Sequence, residues 1–377
     1  GLGSYLPKTK VTNEDWARHV DTSDKWIRDH TGVITRGFAS KEEPLPVMMA
    51  VAAKNALDDA GLTAKDIDYI LAGTNGTGTY TFPHGAAIVG DLIGARKISC
   101  QDVQAGCCGA VQAFEDAVRI IRDVKQTEGR DVRALILGGD TLSHIIDVKN
   151  RENAMILADG AGAMVLGQIE DEKAGIRHMF NKADGSQGYL IYAKSGFACP
   201  LVGTEPVKLE NRWTLPGTFM MDGPLVHKFV GKKASETIKE LVEKSGFTLE
   251  DLVSVLAVPH QMNLWSIQLA KEKIERELGY ALEMYTESIV EDGNTSTAST
   301  IISLDKLHRA GRLKKYQSIL VAAFGAGLTW GGYFMLWNRE SSEGKPYDAT
   351  KQAELAKEYY ARYQKWEAKL PIRKKSE

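Results

Sequence analysis

The order of apolar and polar positions along the chain predicts a mixed α/β protein. Short apolar runs that end in glycine, such as residues 133–139 and 318–325, are typical of buried strands. Stretches with apolar residues at helical spacing, such as residues 111–123, lie between runs of this kind. Residues 1–7 have the composition of the end of a strand and a turn, so we expect the first strand to begin before residue 1.

Two parts of the chain follow a common plan, which indicates an internal duplication. Residues 60–72 and 245–257 both read as the end of a helix at a glycine, a Thr-x-x-Asp capping turn and a short apolar strand. A helix opened by Cys107 then has its counterpart in a helix opened near residues 294–296, and an apolar strand follows each. Chance similarity between two βα units is the alternative, but the shared order of several elements favours two fused copies of one α/β unit.

Both of these helices carry a narrow face of small residues, which lets backbones approach closely. The small residues are Cys108, Gly109, Ala110 and Ala113 in the first helix and Ser296, Ala298 and Ser299 in the second. Helices with such faces fit between two sheets. We therefore expect layers of helix and sheet with these two helices at the centre.

The pattern divides the chain into three parts. Residues 1–170 form the half that carries the cysteine pair, residues 171–337 form the second half, and residues 338–377 combine a polar linker with a charged helix. We expect the aromatic residues of this last helix to dock on the body of the protein or on a partner subunit. These residues are Tyr359, Tyr360, Tyr363 and Trp366.

Composition narrows the possible functions. The 377 residues are 43% hydrophobic and 25% charged with a net charge of −2, which is ordinary for a globular protein and does not favour nucleic-acid binding. The four cysteines have no Cys-x-x-Cys spacing, so we expect reduced thiols in a cytoplasmic protein rather than disulfides or a metal site. No apolar run approaches a membrane span, no signal segment opens the chain, and no nucleotide loop is present.

A cysteine pair is the first candidate for chemistry. Residues 102–110 read Asp-Val-Gln-Ala-Gly-Cys-Cys-Gly-Ala and lead directly into a helical pattern. The helix dipole and the free N–H groups at a helix start favour a thiolate and lower the thiol pKa, and a thiolate is a strong nucleophile for acyl transfer. The alternative is a structural cysteine at a crowded junction of helix and strand, and this segment alone leaves both readings open.

Three further segments could complete a site. His260 follows an apolar strand directly, where sites form in α/β proteins, although a structural histidine is the alternative. Asn294 follows Gly293 and begins a helix, so its amide could cap that helix or donate hydrogen bonds into a site. Residues 324–332 form a glycine-rich turn that could aim a backbone N–H at an oxyanion.

Taken together, these segments resemble the thiolase-fold condensing enzymes, above all the β-ketoacyl-acyl-carrier-protein synthase III family. The resemblance extends to residues 21–27 and 159–163 and covers the chain from Gly1 to about Trp337. It implies a five-layered αβαβα fold made of two duplicated halves, to which this chain adds a C-terminal helical extension. It also implies a homodimer that binds acyl-coenzyme A or acyl-carrier-protein thioesters as substrates and has no resident cofactor.

The resemblance implies a decarboxylative Claisen condensation, in fatty acid initiation or in secondary metabolism. An acyl thioester would acylate Cys107, and His260 and Asn294 would stabilise the enolate formed when a malonyl thioester loses carbon dioxide. The backbone N–H groups of Cys107 and Ala326 would form the oxyanion hole, with Ala326 at a position where the family usually has glycine. Cys108 is interpreted as a packing residue.

The resemblance also implies how substrates bind. Trp26 and Arg151 match residues that stack around the coenzyme A adenine, and Phe324 matches an aromatic residue packed beside the catalytic groups. Phe82 matches a residue that lines the acyl pocket across the dimer interface. His30 and Trp265 stand where arginines are usual, so the thioester carrier is open and a specialised enzyme of secondary metabolism is favoured.

Other activities remain as alternatives. An enzyme of the same fold could move the acyl group from Cys107 to an oxygen, nitrogen or carbon nucleophile without decarboxylation. A catalytically silent partner of another condensing subunit is a third reading, against which the presence of Cys107, His260 and Asn294 argues. Thiolase activity is disfavoured because no second cysteine lies in residues 325–332.

Overall fold

The structure is a computed structural model and describes residues 1–77, 80, 82–151, 153–193, 218–341 and 346–370. The strands of the first half are β1 (Leu2–Tyr5), β2 (Thr9–Thr12), β3 (Thr35–Phe38), β4 (Tyr69–Gly73), β5 (Ser99–Val103), β6 (Ala134–Thr141) and β7 (Asp159–Leu166). Its helices are α1 (Asn13–Ala17), α2 (Asp24–Thr31), α3 (Leu45–Ala60), α4 (Gly85–Ile93) and α5 (Gly109–Glu128).

The second half contains β8 (Gly175–Ala183), β9 (Ile191–Ala193), β10 (Phe219–Met221), β11 (Leu256–Pro259), β12 (Glu283–Met284), β13 (Ser318–Gly325) and β14 (Thr329–Leu336). Its helices are α6 (Gly223–Lys244), α7 (Leu264–Leu278), α8 (Glu287–Asp292) and α9 (Ser299–Arg309), and α10 (Ala349–Glu367) follows them. The predicted boundaries at residues 170 and 337 fall between β7 and β8 and directly after β14.

The two large sheets have the same topology. The first has the strand order β1-β7-β6-β4-β5 and the second has the order β8-β14-β13-β11-β12. In each sheet the first two pairings are antiparallel and the last two are parallel. This equivalence of strand order and direction confirms the duplication that the sequence predicts.

Five layers result from the packing of helices on these sheets. Helices α5 and α9 lie between the sheets and contact strands of both, α3 and α4 cover the first sheet, and α6 with α7 covers the second. The contact between α5 and β4 is close because Gly73 has no side chain: a Cβ there would lie 2.2 Å from the backbone nitrogen of Ala110. The prediction of two central helices with small-residue faces is confirmed.

The repeated turns have equivalent hydrogen bonds. Asp66 Oδ2 accepts from the backbone N–H of Thr63 at 2.8 Å and from its hydroxyl at 2.7 Å. Asp251 Oδ2 accepts from the corresponding groups of Thr248 at 2.7 and 2.9 Å. These capping turns end the outer helices and start the central parallel strands in both halves.

The C-terminal helix α10 docks on the body of the same chain. Tyr359 and Tyr363 are buried in the core that α3 and α4 share with the first sheet. Arg362 donates a 2.7 Å hydrogen bond to the carbonyl of Leu92 at the end of α4. The sequence predicts docking of this helix on the body of the protein or on a partner subunit, and the structure shows docking on the body.

The amino-terminal segment forms the edge strand β1. Leu2–Tyr5 pairs antiparallel with β7, which agrees with the strand-like composition of residues 1–7. Its side chains are buried because α3 covers one face and α9 the other. None of the described helices has an apolar stretch long enough to cross a membrane.

Candidate active site

A pocket of about 880 Å³ lies where the two halves meet. Both halves contribute to its lining, the first through the segment before α5 and the second through the ends of β11 and β13 and the segment before α9. The residues proposed for catalysis all line this pocket, as does Phe324: Cys107, His260, Asn294 and Ala326. The proposed catalytic residues, which are up to 219 positions apart in the sequence, thus share one cavity.

Cys107 lies in the short connection between β5 and α5. The helix begins at Gly109 with Cys108 as its N-cap, so the Cys107 thiol precedes the first helical turn. Burial raises its pKa to about 11 and the charge of Asp140 acts in the same direction, while hydrogen bonds from Ser296 and from its own backbone N–H oppose the rise. The expectation of a lowered pKa is therefore wrong, because loss of hydration outweighs the groups that favour the thiolate.

His260 is held at the end of β11. Its backbone N–H donates to the carbonyl of Ala322 at 2.8 Å, and its ring Nδ1 lies 2.6 Å from the hydroxyl of Ser299. Burial lowers the pKa of His260 to about 4, so the imidazole is neutral at pH 7. Because Nδ1 is engaged by Ser299, Nε2 is the ring nitrogen left for the pocket.

Asn294 is fixed by its own backbone and by the next turn. Its N–H donates to the carbonyl of Ile156 at 2.7 Å, and its carbonyl accepts from Ala158 at 2.9 Å. Its side-chain Oδ1 accepts from the backbone N–H of Ser296 at 2.9 Å. The oxygen of the amide is thereby occupied, and the NH₂ group is the part of the side chain available to a ligand in the pocket.

Two glycines bring the candidate oxyanion donors together. A Cβ on Gly325 would lie 2.5 Å from the backbone nitrogen of Cys107, and one on Gly106 would lie 2.6 Å from the backbone nitrogen of Ala326. Distances this short exclude any side chain at either position. The backbone before α5 therefore lies directly against the backbone after β13. Such close contact is needed if the N–H groups of Cys107 and Ala326 are to donate to the same oxyanion.

Three aromatic residues, Trp26, His30 and Trp265, line the pocket and are half-buried or exposed, so they define its mouth. The guanidinium of Arg151 lies 4.5 Å from the ring centre of Trp26, and His30 stacks on Trp26 with ring centres 4.1 Å apart. Trp265, which is half exposed, donates from Nε1 to the carbonyl of Arg28 at 3.4 Å. The structure thus places the substrate-binding candidates Trp26 and Arg151 together with both residues that replace the usual arginines.

Phe82 lies elsewhere. Its side chain is 87% exposed and does not line the pocket of this single chain. The described cysteines Cys100, Cys107 and Cys108 are free thiols, and Cys199 lies outside the described residues.

Sequence reasoning missed several polar residues that support the site. The sequence pattern presents Ser296 and Ser299 only as small packing residues, yet their hydroxyls contact Cys107 and His260. No local motif marks Asn75 or Asp140, although Asn75 bridges Asp140 and Ser296. The spacing of both serines after Asn294 was the one signal available in the sequence.

Comparison with known protein families gives two matches. Residues 101–185 match the model described as 3-oxoacyl-[acyl-carrier-protein (ACP)] synthase III, and residues 242–337 match the one described as its C-terminal part. The first range contains Cys107, and the second contains His260, Asn294 and Ala326.

Curated relatives are similar over most of the chain. β-Ketoacyl-[acyl-carrier-protein] synthase III of Neisseria gonorrhoeae is 36% identical over 337 residues, which are 89% of this chain and 97% of that protein. The synthase III of Caldanaerobacter subterraneus subsp. tengcongensis is 34% identical over 342 residues, or 90% of this chain and 97% of that protein.

Solved structures agree with these relatives. The synthase III of Thermus thermophilus has a TM-score of 0.77 and 30% identity, covering 89% of this chain and 98% of that one. The priming β-ketosynthase of the R1128 polyketide biosynthetic pathway has a TM-score of 0.76 and 28% identity, covering 90% and 96%. Fold and similarity together define a thiolase-fold acyltransferase.

More specifically, the chain belongs to the β-ketoacyl-acyl-carrier-protein synthase III family. The resemblance inferred from the sequence motifs is thereby confirmed, and so is the fold class.

Proposed function

We propose that this protein catalyses the decarboxylative condensation of an acyl thioester with a malonyl thioester, giving a β-ketoacyl product. The observation that carries the proposal is the presence of a cysteine thiol, a neutral imidazole and a carboxamide on one pocket, at Cys107, His260 and Asn294. A nucleophile and two uncharged donors are what the two half-reactions require.

The first half-reaction is acylation of Cys107. Its sulfur attacks the carbonyl carbon of the acyl thioester, a new carbon–sulfur bond forms, and the bond to the carrier sulfur breaks. The carrier leaves as a thiol and takes the proton that Cys107 gives up. The backbone N–H groups of Cys107 and Ala326 stabilise the negative charge on the carbonyl oxygen during the transfer.

The second half-reaction begins with loss of carbon dioxide from the malonyl thioester. The bond between the carboxylate and C2 breaks, and its electron pair forms an enolate whose oxygen accepts hydrogen bonds from His260 Nε2 and Asn294 Nδ2. Because the pKa of His260 is about 4, the ring donates as a neutral group and leaves no net charge to neutralise afterwards. The enolate carbon then attacks the carbonyl carbon of the acyl group on Cys107, a carbon–carbon bond forms, and the cysteine sulfur leaves as a thiolate that takes up a proton from water.

The carrier is proposed from the mouth of the pocket. Trp26 and Arg151 present a ring and a guanidinium on which the adenine of coenzyme A could stack, while a carrier protein would deliver only the phosphopantetheine arm. His30 and Trp265 supply rings at this mouth. We propose that this set of residues suits a specialised synthase of secondary metabolism.

We further propose a cytoplasmic homodimer. The exposed ring of Phe82 supports this assembly, because a large apolar side chain that is 87% exposed gains by burial in a partner. The edge strand β5 also leaves one side without a pairing strand among the described residues. Free thiols at Cys100, Cys107 and Cys108 are compatible with a reducing compartment.

The test combines two measurements on the wild-type protein and on Cys107→Ala. Mass spectrometry after incubation with a panel of acyl thioesters should show one acyl group on Cys107 and none on the variant, and it should identify the primer. Release of carbon dioxide from malonyl thioester should accompany product formation. Acylation without carbon dioxide release would instead support acyl transfer to another nucleophile, and the absence of both reactions would support a silent partner.

A further inference from the structure

One serine connects two of the groups to which the mechanism assigns chemistry. We propose that the hydroxyl of Ser296 donates a hydrogen bond to the sulfur of Cys107 and stabilises its ionised form, with Asn75 as the positioning residue that aims this hydroxyl. The inference rests on the proposed function, in which Cys107 is the nucleophile. It assigns roles to two residues outside the cysteine, histidine and asparagine of that mechanism.

The backbone of Ser296 directs its side chain at Cys107. Its φ of +52° lies in the left-handed region, which is uncommon for a residue with a side chain and persists where the surroundings hold it. Its N–H donates to Asn294 Oδ1 at 2.9 Å, and its hydroxyl lies 3.7 Å from Cys107 Sγ. Ser296 thus orients the side-chain amide of Asn294 through its backbone N–H and contacts the thiol of Cys107 through its hydroxyl.

Asn75 decides which way the serine hydroxyl points. Its Nδ2 donates to Ser296 Oγ at 3.0 Å and to Asp140 Oδ2 at 3.0 Å. Because the hydroxyl oxygen accepts this bond, its own hydrogen is left for the sulfur of Cys107. Asp140 is fully buried and also accepts from the backbone N–H of Asn75 at 2.8 Å. Asp140 therefore holds both the backbone and the side chain of Asn75.

The electrostatic surroundings make this donor necessary. Burial and the charge of Asp140 both raise the pKa of Cys107, and the hydrogen bond from Ser296 is the first of the influences that lower it. A hydrogen bond to the charged form of an acid favours that form. Ser296 is the one side chain among the described residues that hydrogen-bonds this sulfur, so removing its hydroxyl should leave the thiolate without a side-chain donor.

The test measures the ionisation of Cys107 through its alkylation. The rate of carbamidomethylation by iodoacetamide would be followed at Cys107 by mass spectrometry between pH 6 and pH 11 in the wild type, Ser296→Ala and Asn75→Ala. We expect alkylation of Cys107 to be about tenfold slower in Ser296→Ala than in the wild type at each pH below the thiol pKa, which corresponds to a rise of about one unit in that pKa. Asn75→Ala should slow alkylation by a smaller factor.

Ser303→Ala is the matched control. Ser303 is also a buried serine, and its hydroxyl donates to the carbonyl of Ser299 at 2.7 Å without contact to Cys107. Its alkylation profile should coincide with that of the wild type.

An unchanged profile in a folded Ser296→Ala, checked by its melting temperature, would overturn the proposal. If that variant does not fold, Asn75→Ala decides in its place, since Asn75 is only half-buried and an unchanged profile there would equally refute the inference. Alkylation needs neither an acyl nor a malonyl thioester. A failure of this inference is therefore distinct from a failure of the condensation proposal, which carbon dioxide release decides.

Discussion

The hydroxyl of Ser299 lies 2.6 Å from Nδ1 of His260, so a residue of the central helix α9 determines the state of the imidazole. The backbone N–H of Gln261 donates to the same hydroxyl oxygen at 3.4 Å. With its oxygen accepting from Gln261, the serine can donate its hydrogen to Nδ1. The ring hydrogen then sits on Nε2, where the proposed enolate needs a donor.

Replacement of Ser299 by alanine should therefore slow decarboxylation more than acylation. Without the serine, the ring hydrogen is free to occupy Nδ1, and the pocket loses one of its two enolate donors for part of the time. We expect carbon dioxide release from malonyl thioester to fall by roughly tenfold or more. Labelling of Cys107 by an acyl thioester should persist in Ser299→Ala, and the control Ser303→Ala should behave as the wild type. An equal loss of acylation and decarboxylation in Ser299→Ala would contradict the role of Ser299 in orienting His260.

Mutation should separate the roles of His260 and Asn294 in decarboxylation from the role of Cys107 in acylation. His260→Ala and Asn294→Ala each remove one donor to the enolate oxygen, so decarboxylation should drop by about two to three orders of magnitude. Acyl-Cys107 should remain detectable by mass spectrometry in both variants. Normal decarboxylation in both would show that the assignment of His260 and Asn294 is wrong.

The buried imidazole should make stability depend on pH. The pKa of His260 is lowered to about 4 in the folded protein, so between that value and the ordinary histidine pKa the unfolded chain binds a proton that the folded chain does not. Stability is thus present above the unfolded pKa and is lost as the pH falls. This residue alone should cost about 2 kcal/mol between pH 8 and pH 5.

The variant His260→Gln isolates this contribution, because glutamine does not titrate. Urea unfolding at both pH values should show that the variant loses about 2 kcal/mol less than the wild type over this interval. Equal losses of unfolding free energy in the two proteins would mean that His260 has the same pKa in the folded and the unfolded protein.

The docking of α10 should contribute to stability. Tyr359 is 4% exposed and packs in the core beneath α3, so Tyr359→Ala should lower the free energy of unfolding by about 3 kcal/mol. Lys357→Ala, on the exposed side of the same helix, is the control and should change little. If urea unfolding gave the same stability for Tyr359→Ala and the wild type, the helix would not be part of the cooperative fold.

The sequence by itself was sufficient for the duplicated architecture, and together with the family resemblance it predicted the candidate site residues. Capping turns at Thr63 and Thr248 follow from local residue order, and Cys107, His260 and Asn294 each stand beside a glycine, strand end or helix start that is visible locally. These features depend on neighbours in the chain, which is why periodicity and motif order predict them.

Tertiary structure alone decided the properties of the site. The raised pKa of Cys107 arises from burial, and the hydroxyl of Ser296 forms hydrogen bonds with Cys107 and Asn75, which lie 189 and 221 positions away in the chain. The role of Ser299 depends on His260, 39 positions away. Hydration and hydrogen bonds of this kind exist only after the two halves pack together, so no local pattern of residues determines them.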